Sequence, residues 1–379
     1  MSRQKAGQLA DVVLSTLRGW CLCHLGAGTI AFAAVACPIS AQGVLRVVER
    51  RPVSSAALSL GAVGFAKVLG DGRVLLSQPQ DATVWVLSPT GNRTAILGRR
   101  GEGPGEFKSP VSAGTLGDTL WVFDSQLHRF SFFSASGRPV RDLKVPMLVG
   151  PAQSAAMDKD GSILLWTAYR SAGPRAARGL VRLAGTFASP TPLLTIPDDG
   201  CEARSAPGRT FSLPYCSRPY WGQSADGRLA ILLDPVSSRY QETGLVKFVA
   251  VALSGDTVQN VQISLPRTPL PALDFESTLA TIARHQGLSL ESAKRLAPRP
   301  HFRPPGNWIV VDPSGGLWIG QARVGDQVRW TSVAADGTIV GYLDRSVAIR
   351  VLASMGTTLL VLESTDDGEE HLEWWRTGR

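Results

Sequence analysis

Residues 98–137 read GRRGEGPGEFKSPVSAGTLGDTLWVFDSQLHRFSFFSASG. A glycine- and proline-rich stretch, residues 101–107, leads into short segments where apolar residues alternate with polar ones, broken by turns at Gly117 and Gly137. Alternation with a period of two, punctuated by glycine turns, is the pattern of a four-stranded antiparallel sheet.

Working outward, a turn followed by an apolar strand recurs along the chain: Asp71-Gly72-Arg73-Val74-Leu75-Leu76, Gly117-Asp118-Thr119-Leu120-Trp121-Val122, Asp160-Gly161-Ser162-Ile163-Leu164-Leu165, Asp226-Gly227-Arg228-Leu229-Ala230-Ile231, Ser314-Gly315-Gly316-Leu317-Trp318-Ile319 and Gly356-Thr357-Thr358-Leu359-Leu360-Val361. A second turn follows the first in five units, at Gly91, Gly137, Gly185, Gly255 and Gly337. Fixed-period self-similarity marks a repeat architecture, in which each unit buries its faces against its neighbours. Six units predict six blades. The last unit has no fourth strand, and residues 44–49, an apolar segment ahead of the first unit, are expected to supply it and close the ring. Closure removes two sheet edges that would otherwise invite aggregation.

The stretch 98–137 resembles the NHL-type repeat of six-bladed β-propellers. The elements that carry the resemblance are Gly105-Glu106-Phe107, Pro110, Val122-Phe123-Asp124, Arg129-Phe130 and Ser136-Gly137. The expected fold is therefore all-β: a six-bladed β-propeller closed by an N-terminal strand, with a disulfide loop and a helical hairpin inserted.

Residues 1–41 carry Arg3, Lys5 and Arg18 against Asp11, then an apolar run over residues 25–37, then Ile39-Ser40-Ala41. That composition reads as a secretory signal peptide, and the run is short for a membrane span of about 20 residues. The alternatives are an uncleaved anchor or lipidation at Cys37, although Pro38 directly after the cysteine disfavours the latter. A periplasmic or extracellular protein follows, with no stable membrane span once the signal is removed. Cys21, Cys23 and Cys37 leave with it, so Cys201 and Cys216 are expected to form a disulfide.

The formal charge of +8 falls on removal of residues 1–41, which hold three of the 39 basic and one of the 31 acidic residues, leaving 36 against 30, or +6. The basic residues are scattered, with one tight cluster over residues 295–303. General arginine usage accounts for this better than polyanion binding, and export argues against a nucleic-acid partner.

The propeller is expected over residues 42–379, with insertions at 198–220 and 268–306. The first holds both cysteines and four prolines nearby, and reads as a long pinned loop. In the second, Asp274 and Ser289 are candidate N-caps, Leu279, Ile282 and Ala283 mark one apolar face, and Leu290, Ala293 and Leu296 mark another; Gly287 and Pro298 end the two helices.

Four histidines remain outside the signal, His128, His285, His301 and His371, without metal-ligand spacing. A lactonase-like propeller would need converging Asp, Glu and Asn oxygens. Of the three asparagines, Asn92 and Asn260 fall in outer strands, away from the axis. No metal and no cofactor is expected. What remains is an aromatic and basic group at the entrances to the fourth and fifth units: Tyr215, Arg218, Tyr220 and Trp221 on one side, Arg299, His301 and Arg303 on the other. Arginines beside aromatics suit carboxylate, sugar or peptide ligands.

The expectation is a monomeric, non-catalytic module that binds an unknown small molecule, peptide or protein on one propeller face. The alternative is a metal-dependent lyase or hydrolase using the central channel.

Overall fold

The computed structural model describes residues 43–379 except 54–59, 147–151, 171–175, 185–189, 197–200, 207–208, 217, 225–228, 234–242, 253 and 323–324. The expected signal peptide and the Asp226-Gly227 turn lie outside these residues.

The chain folds as a β-propeller. Five sheets are four-stranded. The first runs Ala66–Val68, Val74–Gln78, Thr83–Leu87, Arg93–Leu97; the second Pro110–Leu116, Thr119–Asp124, Arg129–Phe133, Pro139–Lys144; the third Ser154–Met157, Ile163–Arg170, Ala176–Leu183, Thr191–Ile196. The fourth runs Tyr220–Gln223, Leu229–Leu233, Thr243–Val251, Thr257–Pro266, and the last Ile349–Met355, Thr358–Ser364, Glu370–Gly378, with Arg46–Pro52 at its edge. Between those two comes a five-stranded sheet: Trp308–Val311, Leu317–Ala322, Gln327–Val333 and Ile339–Ser346, widened by Gly43–Val44, which pairs in parallel with Ile339–Ser346. The expectation of six like blades thus meets five four-stranded sheets and one that differs.

Residues near the start of the described chain do close the ring, but not over the expected span. Arg46–Pro52 pairs antiparallel with Glu370–Gly378, Arg46 opposite Gly378 and Pro52 opposite Glu373. Val44 belongs instead to the neighbouring sheet. The pivot between them is Leu45, buried among Trp318, Trp330 and Trp375, whose N–H donates to Tyr342 O at 2.8 Å. Burying one leucine at the seam fixes where the chain leaves one sheet for the next. Arg46, Glu49, Arg50, Arg51 and Pro52 on the outer strand make a charged, proline-ended edge that resists further pairing.

Apolar clusters fill the seams between sheets. Trp121, Phe123 and Phe130 of the second sheet meet Ile163, Leu165 and Val181 of the third, and Val68 and Val74 of the first meet Leu360, Leu362 and Leu372 of the last. Middle strands such as Val74–Gln78 and Arg129–Phe133 are buried along their whole length, because both faces of a blade are covered.

The glycine-rich loop ahead of the second sheet is held by defined contacts. Gly98 has φ +73° and Gly105 φ +68°, and a Cβ would come within 2.2 Å of Phe107 at the first and 2.8 Å of Pro139 at the second. The Arg129 guanidinium donates to the carbonyls of Glu102, Gly103 and Glu106 at 3.0, 2.8 and 2.7 Å. Asp124, fully buried, accepts from the N–H groups of Lys108, Ser109, Gln126 and Leu127 at 2.6–2.9 Å. One carboxylate thereby satisfies four backbone donors that a buried turn would otherwise leave orphaned.

The two insertions form one module. The span read as an irregular loop contains a hairpin, Glu202–Ala206 against Arg209–Ser212, closed by the Cys201–Cys216 disulfide with a Cα–Cα distance of 5.4 Å. Helix α1 (Ala272–His285) and helix α2 (Leu290–Leu296) pack on it, with Phe211, Leu270, Phe275, Leu279, Ala283, Ala293 and Ala297 as a shared core. Ser289 caps α2, its Oγ accepting from Ser292 N at 3.2 Å. Asp274 does not cap α1. The helix starts at Ala272 behind Pro271, and the Asp274 carboxylate is engaged by Arg303 instead. Leu290, expected on an apolar face, is 38% exposed.

Candidate functional site: the channel mouth

A cavity of about 480 Å³ opens on the propeller axis. Its wall is built from residues 64–67, 111–113, 153–154, 219–223, 307–310 and 351–352. Each group lies on or just ahead of a sheet's innermost strand. The propeller topology therefore brings six distant segments to one place.

The wall mixes aliphatic residues such as Val111, Ile309 and Leu352 with polar and aromatic ones and is nearly uncharged. It carries three amides (Gln153, Gln223, Asn307), the hydroxyls of Ser112, Ser154 and Tyr220, the rings of Phe65, Trp221 and Trp308, and one ammonium, Lys67. No carboxylate, imidazole or thiol is among these lining residues. The Lys67 ammonium is buried and donates to Ser224 O, which ties the first sheet to the fourth across the axis. Ser112 Oγ and Ser154 Oγ lie 2.5 Å apart, and Ala155 N donates to Ser112 Oγ at 3.0 Å.

Three aromatic side chains shape one side. Trp221 lies nearly parallel to Trp166, ring centroids 6.4 Å apart at 12°. Trp166 Nε1 donates to Gln153 Oε1 at 2.9 Å. That bond fixes which end of the Gln153 amide is occupied and leaves its NH₂ on the exposed side chain at the cavity edge. Trp308 lies tilted by 32° against Trp330, ring centroids 6.2 Å apart, and is 41% exposed, whereas Val310 two residues on is 8% exposed. Gly320 beneath Trp308 makes the room, since a Cβ there would come within 2.8 Å of the indole. Asn307 places its N–H on Gly320 O at 2.7 Å, while its Oδ1 is buried without a partner among the described residues.

The aromatic and basic group read from the sequence divides between two places. Tyr220 and Trp221 line the cavity. Tyr215 and Arg303 meet, the guanidinium 5.3 Å from the ring centroid, inside the hairpin-helix module. Tyr215 Oη reaches Thr278 Oγ1 at 3.0 Å, and Arg303 pairs with Asp274. His301 is exposed and its carbonyl accepts from Leu270 N at 2.9 Å, while Arg303 N donates to Thr268 O at 2.8 Å, so this segment is the stem of the helical insertion. Arg299 is exposed beyond α2, and Arg218 is half-buried just ahead of the wall residue Pro219. None of the four basic candidates lines the cavity.

Gln153, Asn307 and Trp308 escaped the sequence reading because each precedes or opens a short inner strand, where a polar residue looks like part of a connection. The available signal was position: each stands just before or at the first strand of a repeat unit, and such strands meet at the axis.

The hairpin-helix module connects in sequence to two strands of this wall. The hairpin leads through residues 213–219 into Tyr220–Gln223, and α2 leads through residues 297–307 into Trp308–Val311. Both insertions therefore enter where the inner strands begin.

No protein-family model matches the sequence, and no curated protein matches it. Among solved structures, the chain is similar to a protein described as exported from Bacteroides fragilis, with 11% identity and a TM-score of 0.52, over 89% of this chain and 97% of that one. A member of the DUF4221 family from Bacteroides vulgatus aligns over 89% and 99% at 10% identity and a TM-score of 0.48. Virginiamycin B lyase from Staphylococcus aureus aligns over 86% and 87% at 11% identity and a TM-score of 0.37. Likeness at such identity speaks to the fold alone. No helix among the described residues is long and apolar enough to cross a membrane.

Proposed function

We propose that this chain is an exported, monomeric, non-catalytic binding module whose ligand, a small molecule or the end of a peptide or protein, enters the channel mouth. The proposal includes counting the five-stranded sheet as a sixth blade, widened by Gly43–Val44, and grouping the repeat with the NHL type. The observation that carries the binding reading is the composition of the wall. Concave sites with exposed aromatic surface and a few convergent polar groups are the usual places for ligands. The lining amides and hydroxyls can bind and orient a ligand, and no carboxylate, imidazole or thiol stands among these lining residues. Tyr220 and Trp221 are the residues of the original group that serve this site; Tyr215, Arg218, Arg299, His301 and Arg303 belong to the hairpin-helix module and its connections.

The test is a titration of the secreted protein against small neutral, anionic and peptidic compounds, read by tryptophan fluorescence, with and without chelator. Binding that persists in chelator and weakens in Trp308→Ala and Gln223→Ala is expected. Turnover of a hit that chelator abolishes, or a hit whose affinity ignores both substitutions, would overturn the reading.

A further inference from the structure

We infer that the ligand class of the channel mouth is a neutral saccharide, with one sugar ring laid against Trp308; this rests on the channel being the binding site. Three features of the wall converge on that chemistry. Trp308 is a large aromatic surface left in contact with solvent inside a concavity, although the strand it opens buries Val310 and Val311. An indole held open in this way favours a partner with a flat apolar face. The C–H face of a pyranose ring is such a surface.

The polar groups beside it suit hydroxyls better than charges. Gln153 keeps an NH₂ donor because Trp166 occupies its oxygen. Asn307 adds a second amide to the lining. Amides offer donors and acceptors together, matching the two-way hydrogen bonding of a sugar hydroxyl. Recognition of a carboxylate or phosphate would call for a guanidinium fork or an ammonium turned to the ligand, and the wall's one ammonium, Lys67, is buried and donates to Ser224 O. No arginine lines the cavity, and Arg303 is engaged with Asp274 and Tyr215 outside it. Recognition of a cation would call for carboxylates, and the lining has none.

The probes are maltohexaose, cellohexaose and chitohexaose, with a uronate oligomer and a hexapeptide of matched length as comparisons, titrated calorimetrically into the full secreted protein. At least one neutral oligosaccharide is expected to bind more tightly than the uronate or the peptide. Trp308→Ala should weaken it at least about tenfold and Gln153→Ala about threefold to tenfold, while Trp308→Phe retains most of the affinity. The phenylalanine variant also reports whether a loss in the alanine variant comes from misfolding. If no neutral saccharide binds at about 10 mM, or if Trp308→Ala leaves its affinity unchanged, the saccharide assignment is overturned. If the uronate or the peptide binds instead and its affinity still depends on Trp308, the assignment falls while the channel reading stands.

Discussion

The second sheet and the hairpin-helix module solve the same problem by opposite means. In the second sheet, Phe123, Phe130 and Phe132 are buried in seams shared with neighbouring blades, so the sheet has no core of its own. The module owns a private core around Phe211, Phe275 and Leu279, and a covalent link closes its hairpin. Stability in the ring is thus shared around the circle, whereas stability in the module is local. The difference teaches that a perturbation should spread in the first region and stay confined in the second.

Removing residues 43–52 tests the spreading most severely. It uncovers the edge of Glu370–Gly378 and takes Leu45 from a seam packed with tryptophans. A loss of about 5 kcal/mol or more is expected, lowering the melting temperature by about 10 °C or more in a single cooperative transition. A mild effect seen by calorimetry would mean that the ring does not depend on its closing strand. Phe130→Ala should cost about 3–5 kcal/mol and also act on the whole ring. Phe211→Ala, equal in chemistry, should instead split off an early transition for the module. Matching single transitions for the two variants would erase the distinction between the regions.

Replacing Cys201 and Cys216 together by serine should destabilise the module by about 3 kcal/mol, the chain-entropy value for a closed loop of 15 residues. Hydrogen exchange should show the loss in residues 201–216 and in α1 and α2, and not in the second sheet.

Asp312 provides a smaller, pH-dependent effect in the ring. Burial alone would raise its carboxyl, but hydrogen bonds from Ser314 Oγ and N, Ser354 Oγ and Gly356 N hold it below the ordinary aspartate value. A carboxyl depressed in the folded state contributes stability in full above its unfolded value, about 3.9, and loses it as pH falls further through the folded value. Asp312→Asn should cost about 1–3 kcal/mol at pH 7 and flatten the acid limb of the stability curve. An unchanged acid limb would show that the bond between the last two sheets is not electrostatic in origin. The smallest effect is expected on the surface, where Arg376→Ala breaks its pair with Glu49 at 2.8 Å between half-exposed partners and should cost about 1 kcal/mol or less.

Much of the ring was legible because its signals are local. Asp-Gly turns and alternating strands such as Leu120–Asp124 need no distant partner to be recognised, and the two cysteines outside the expected signal invite one pairing. The seam at Leu45 was legible only in part: an orphan strand could be foreseen, but its register depends on tertiary burial beside Trp318, which no local pattern encodes. The hairpin at residues 202–212 lacks clean alternation because one small core and a disulfide replace sheet packing as its support. The channel wall was least legible. Gln153, Asn307 and Trp308 are far apart in sequence, and only ring geometry makes them neighbours. Arginines near aromatics at the fourth and fifth units drew attention instead, yet Arg303 has a structural partner in Asp274.

The pairing of Arg46–Pro52 with Glu370–Gly378 joins segments more than 300 residues apart in sequence. Contacts of such separation are slow to form, since a long loop must be closed before they yield any gain. During synthesis the second sheet and its neighbours can assemble early, but the circle has no last seam until residue 378 has emerged. Until Arg46–Pro52 has paired with Glu370–Gly378 the blades form an open arc, and that pairing turns the arc into a ring.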